Sequence, residues 1–162
     1  GASRFSPRHL LSRPTPPFGL VYGTVDVATA AFEAVIRDGF DVRPSRILRP
    51  AEYAAKSAVN FSTSRGNVLT LLDLTRGNAV RYGVPTDVIR YSNHKSGQFF
   101  SEFIYSQMPD VDGILYDSRF TELQCVAVYD RAISKLTAAP RPPILTKVIL
   151  APLLAPWNVQ VS

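Results

Sequence analysis

The sequence predicts a single α+β domain, and three observations carry that prediction. At 162 residues and 46% hydrophobic content, the chain can bury one core of ordinary size. Strand-like and helix-like segments are interspersed along it with no internal repeat and no linker. The most strand-like run, LQCVAVYD at 123–130, sets Cys125, Ala127 and Tyr129 against Val126 and Val128. Both of its faces are therefore apolar, as in a central strand.

The elements follow in chain order. Residues 7–19, PRHLLSRPTPPFG, are Pro-rich and aperiodic and read as a surface loop. A short strand at 20–24 leads to Asp26, a good N-cap for an Ala-rich helix running to about Asp38, where Gly39 stops it. Pro50 suits the first position of a second helix, AEYAAKSA. VLTLLDL at 68–74 reads as a buried strand, RGN at 76–78 as a turn, and Pro85 as the start of a helical turn. Ser96 opens a clearer helix, SGQFFSEFIYSQ, with Phe99, Phe103 and Tyr105 expected inward. Two strands follow, at 112–118 and 123–130. The run ILTKVILAPLLAPW from Ile144 is too short to span a bilayer and is broken by Lys147, Pro152 and Pro156. It is expected to be a core strand with an irregular tail.

Composition narrows the function. A single cysteine, Cys125, excludes an intrachain disulfide and a Cys-rich zinc site, so a reducing, cytoplasmic setting and no membrane are expected. The start at Gly1-Ala2-Ser3, without Met, suggests that upstream residues have been trimmed. A formal charge of +5 points to an anionic partner. The basic residues are scattered, and only four of the eighteen are lysines. That bias suits bidentate recognition of phosphate or carboxylate.

His9 and His94 are the only histidines and lack neighbouring ligands at useful spacing, so both read as loop residues and metal chemistry is disfavoured. Neither a G-x-S-x-G elbow nor a Gly-rich phosphate loop is present. Four residues remain in suggestive settings. Glu33 stands alone in the apolar run AAFEAVI: a carboxylate there is turned to solvent, paired with Arg37 at i+4, or used in a pocket. Arg4 sits in SRFSP, where Phe5 can anchor the segment, although an arginine near a terminus is usually solvated. Tyr22 lies in the strand before the Glu33 helix, where a tyrosine is usually core or rim. Ser118 ends a strand in LYDSRF, a position that lines a pocket or caps a turn.

These positions, in this order, resemble the RES-domain family, toxins of bacterial toxin–antitoxin pairs named after Arg, Glu and Ser. The resemblance runs through SRFSP, the Pro-rich spacer, LVYGTVDVATAAFEAV, LLDL, VDGILYDSR and VAVYDR. It departs from the family in lacking a further N-terminal segment and in carrying VYG for the commoner Tyr-small-Ala. It implies a single RES-type domain over 1–162, with a compact ADP-ribosyltransferase-like fold of antiparallel sheets and flanking helices around an NAD cleft.

The implied activity is NAD⁺ degradation by cleavage of the nicotinamide–ribose bond. NAD⁺ is then a substrate, with no prosthetic group, and water or inorganic phosphate is the acceptor. Glu33 would stabilise the oxocarbenium-like state, and Arg4 would hold the pyrophosphate. Tyr22 would pack on the nicotinamide or its ribose, and Ser118 would orient Glu33 or bond that ribose. Arg119 or Arg49 would bind phosphate, and Asp130-Arg131 reads as a structural ion pair. One carboxylate suffices because nicotinamide leaves as a neutral molecule. The resemblance also implies an Xre-type helix-turn-helix antitoxin covering the site, in a hetero-oligomer or beside a homo-oligomer. Protein ADP-ribosylation is the rival within enzymes. A basic nucleic-acid-binding module, with Tyr82, Tyr91 and Tyr105 beside Arg81 and Arg90, is the rival from another class.

Overall fold

The structure, a computed structural model, describes residues 3–8, 15–40, 45–90 and 94–162. His9 and Tyr91 lie outside the described residues. The chain forms two compact units, Gly1–Gly23 with Thr63–Leu136 and Thr24–Ser62 with Thr137–Ser162.

The first unit is built on a four-stranded sheet of β1 (Leu20–Thr24), β6 (Gln124–Tyr129), β5 (Gly113–Asp117) and β4 (Leu71–Asp73), in that spatial order. The sheet is mixed, which corrects the expectation of antiparallel sheets: β4 and β5 run parallel, while β5 and β6 pair antiparallel. Connection length explains the difference. A short turn joins β5 to β6, whereas the chain between β4 and β5 passes through three helices, α3 (Asn78–Arg81), α4 (Asp87–Arg90) and α5 (Lys95–Gln107), long enough for a parallel crossover. Cys125, Ala127 and Val128 of β6 are fully or almost fully buried, as a central strand requires. Gly113 of β5 lies so close to β6 that a Cβ there would come within 2.4 Å of the Ala127 carbonyl oxygen. Phe5, Phe18, Ile104, Ile114, Tyr116 and Tyr129 join this core.

Helix α5 corrects the expected inward face. Phe99 and Phe103 are exposed, and Gly97, Gln98, Ser101 and Ile104 are buried instead. The inward face needs small or hydrogen-bonding side chains, because Ser101 Oγ lies 3.1 Å from the Tyr129 hydroxyl, which also donates to the Ser101 carbonyl. Tyr105 does pack inward, stacked on Phe18 with ring centroids 4.4 Å apart. Burial, only partly offset by Ser101 and the charge of Arg131, pushes the Tyr129 phenol up to about 12.

The second unit joins two short parallel strands, β2 (Ile47–Leu48) and β8 (Gln160–Val161), to three helices. Helix α1 (Val27–Ala31) starts at Asp26 as expected, whose carboxylate accepts from the Thr29 N–H at 2.7 Å. It does not run on as α-helix to Asp38. From Phe32 to Ile36 the chain makes a wider π turn, in which the Arg37 N–H bonds the Phe32 carbonyl, and Arg37 then takes a φ of 47°. Helix α2 (Pro50–Tyr53) begins at Pro50 but is shorter than expected. The Tyr53 hydroxyl donates to the Ser162 carbonyl at 2.8 Å.

Helix α6 (Lys147–Leu154) overturns the expected C-terminal strand. Thr146 caps it by accepting from the Ile149 N–H, and Leu150 and Leu154, four residues apart, are fully buried. An i, i+4 apolar pair after a threonine cap is a helical signal that the continuous apolar run conceals. The Trp157 ring then meets Phe32 edge-on at 5.5 Å. The remaining strands, β3 (Phe61–Thr63) and β7 (Leu136–Ala138), pair with each other. Among the described residues, no helix is long and apolar enough to cross a membrane.

Candidate functional site

The segment carrying Arg4 is tied into the first unit at several points. Residues 3–6 form a turn in which the Ser6 N–H bonds the Ser3 carbonyl at 3.2 Å and the two serine hydroxyls bond each other. Phe5 is fully buried, with its ring edge-on to Tyr116 of β5 at 5.0 Å. Its N–H donates to the Tyr22 hydroxyl at 3.0 Å. Arg4 itself is only 8% exposed, so it is held in place and is no solvated terminal arginine.

Tyr22 of β1 is thus brought beside Arg4. Burial raises the pKa of its phenol, outweighing the opposing pull of its bonds to Ser3, Phe5 and Ser6 and of the Arg4 charge. The site pairs a buried arginine, on a backbone bonded at either side, with a phenol that burial keeps neutral, a combination suited to an anionic ligand carrying an aromatic or sugar group.

Ser118 follows β5 two positions after Tyr116 and is 2% exposed. Its hydroxyl accepts from the N–H groups of Phe120 and Thr121, at 3.2 and 3.4 Å. Through these bonds it caps the turn that follows β5. Arg119 beside it lies over the Phe120 ring, 4.5 Å from the centroid. Glu33 belongs to the second unit, where it is half-buried in the π turn after α1. Turns of this kind are uncommon and frequently accompany functional residues.

Asp130 and Arg131, expected as a structural ion pair, bond mostly to backbone groups and to the Tyr105 hydroxyl. The Asp130 carboxylate accepts from the Gly19 N–H, the Arg131 N–H and the Tyr105 hydroxyl. The Arg131 guanidinium bonds the carbonyls of Tyr105, Met108 and Val111, closing the C-terminal end of α5. Tyr105 is consequently occupied by Phe18, Tyr129 and Asp130, which removes it from the set of stacking residues a nucleic-acid module would use. Tyr82 is exposed.

Residue-type reasoning missed the groups that hold the Arg4 segment. A Cβ at Gly97 would fall 2.6 Å from the Arg4 carbonyl oxygen and 3.0 Å from Arg4 Cγ. The Gln98 side-chain amide donates to the Ser3 carbonyl at 3.3 Å. Glu102 accepts from the Arg8 backbone N–H at 2.8 Å and from two of its guanidinium nitrogens, while that guanidinium sits 3.5 Å from the Phe99 ring centroid. The one available signal was Gly97 itself, since a glycine inside a helix costs about 1 kcal/mol and calls for a packing reason.

A 77-residue stretch is 35% identical to the probable toxin y4kH of Sinorhizobium fredii (strain NBRC 101917 / NGR234), covering 48% of this chain and 61% of that relative. No solved structure matches. The pattern of the RES domain matches residues 1–153. The chain, from the anchored Arg4 turn to the C-terminal helix, belongs to the RES-domain family.

Proposed function

We propose that the chain is a toxin that degrades NAD⁺ by breaking the nicotinamide–ribose bond, with water or inorganic phosphate as acceptor. The observation that carries this reading is Arg4: a buried arginine fixed beside Tyr22 at the family's own Arg-Phe motif. A guanidinium held in this way is suited to the pyrophosphate of a dinucleotide, and a neutral phenol next to it to the nicotinamide or its ribose. The name of the Sinorhizobium relative supports the toxin role.

In this reading Glu33 supplies the negative charge that stabilises the oxocarbenium-like state. Ser118 orders the end of β5 and orients the ribose side, and Arg119 receives the inorganic phosphate when that is the acceptor. The fold is a compact relative of the ADP-ribosyltransferases, no prosthetic group is needed, and an Xre-type antitoxin covers the site in the resting complex.

The test is to incubate the purified protein with NAD⁺, with and without inorganic phosphate, and to identify the products by mass. Nicotinamide with ADP-ribose is expected from hydrolysis, and ADP-ribose-1″-phosphate from phosphorolysis. Glu33→Gln, which removes the charge and keeps the volume, is expected to lower turnover by about 10³-fold with the fold intact. Near-full turnover in that variant would remove Glu33 from the mechanism. ADP-ribose found only on protein would replace hydrolysis with protein ADP-ribosylation. No nicotinamide release in any arm would overturn the reading.

A further inference from the structure

We infer that Gly97, together with the Arg8–Glu102 clamp, positions Arg4, so that α5 sets how tightly the anionic part of the substrate is held; this inference rests on the function proposed above. Three observations converge on the segment. At Gly97 the helix passes so close to Arg4 that a β-carbon there would stand 2.6 Å from the Arg4 carbonyl oxygen and 3.0 Å from its Cγ. Five residues along the helix, Glu102 takes a backbone N–H and two guanidinium N–H groups from Arg8, at 2.8 to 3.1 Å. Between them, Gln98 holds the Ser3 carbonyl.

The segment is thereby fixed to α5 on both sides of Arg4, and to the sheet between them by Phe5 and Tyr22. Holding a ligand-binding arginine costs backbone as well as side-chain freedom, and a backbone already fixed on both sides removes the first of these costs. Glu102 is only 14% exposed at its side chain, so the pair is shielded and geometrically defined. None of these α5 groups is assigned contact with substrate. They act through Arg4 and are positioning residues.

The experiment uses Gly97→Ala and Glu102→Gln in the full chain, each alone and combined with Arg4→Ala. In the single variants, KM for NAD⁺ is expected to rise by roughly 10- to 100-fold with kcat within about twofold, because ground-state grip on the pyrophosphate is lost. In the Arg4→Ala background, the second substitution is expected to change KM by no more than about twofold, since the group it positions is gone. An unchanged KM in both single variants, or full additivity with Arg4→Ala, would overturn the inference. If Gly97→Ala does not fold, Glu102→Gln, which keeps its volume, carries the same comparison.

Hydrogen exchange at the Phe5 amide gives a readout independent of NAD⁺. Faster exchange in Glu102→Gln supports the positioning role, and wild-type protection overturns it. A wild-type protein that neither binds nor consumes NAD⁺ would bring down the proposed function alone, leaving the exchange result to decide the positioning of Arg4.

Discussion

Ser118 shows how much of a turn one buried side chain can carry. Its hydroxyl accepts from the N–H groups of Phe120 and Thr121 in the turn between β5 and β6, and its own N–H bonds the Leu123 carbonyl at 2.8 Å. With the residue almost fully buried, removing the oxygen leaves backbone donors without that acceptor. Ser118→Ala is therefore expected to lower unfolding stability by about 1–2 kcal/mol, read as a shift of the urea midpoint at unchanged slope. An unshifted midpoint would show that the turn holds without the hydroxyl. At this scale the sequence was informative for the Phe5 anchor, because the SRFSP motif places a large apolar side chain directly after Arg4. Ser118 was legible only as two alternatives, since strand-end serines cap turns and line pockets with the same atom.

The elements that sequence reasoning recovered are those whose signal is local. Asp26 caps α1 and Pro50 opens α2 through chemistry confined to one turn. The 123–130 run is buried and central because its two apolar faces leave it no other place. The misreadings arose where tertiary context decides. The face that α5 turns inward was chosen by the close approach of Arg4 and Tyr129, which selects Gly97 and Ser101 over Phe99 and Phe103. The π turn at Phe32–Ile36 leaves no mark in a hydrophobic pattern. Residues 147–154 looked strand-like because Val148, Ile149 and Leu150 are consecutive. Yet Val148 is 84% exposed while Leu150 and Leu154 are buried, and that is a helical distribution. If this helix supports the second unit's core, Leu150→Ala should cost about 2–5 kcal/mol, measured by urea unfolding. A loss below about 1 kcal/mol would mean that the site collapses around the smaller side chain and that α6 contributes little.

For the molecule as a whole, titration ties burial to stability on both sides of neutrality. Burial raises Asp112, but the Lys135 ammonium at 2.7 and 2.9 Å and the Thr70 N–H outweigh it, so the folded carboxyl lies below its ordinary 3.8. Asp73 is likewise lowered, first by the Thr75 hydroxyl. A depressed carboxyl contributes stability above its unfolded value and loses it as pH falls through the folded one, so the acid limb sets in as pH falls toward 3.8 and runs on through the lower folded value. The tyrosines act in the opposite sense. Burial holds Tyr22 and Tyr105 above 10.0 and Tyr129 at about 12, so the fold favours the neutral phenols. Their contribution is complete below 10.0 and is lost as pH rises toward 12. Urea midpoints are therefore expected to form a plateau between about pH 5 and pH 9.5 and to fall on either side. Tyr129→Phe should lower the plateau, because the bonds to Ser101 are lost, and should flatten the alkaline limb, because no phenol remains there to ionise. Asp112→Asn should flatten the acid limb alone. An alkaline limb equally steep in Tyr129→Phe would show that alkaline unfolding is driven by other groups, and would separate the packing of α5 against β6 from the pH response of the fold.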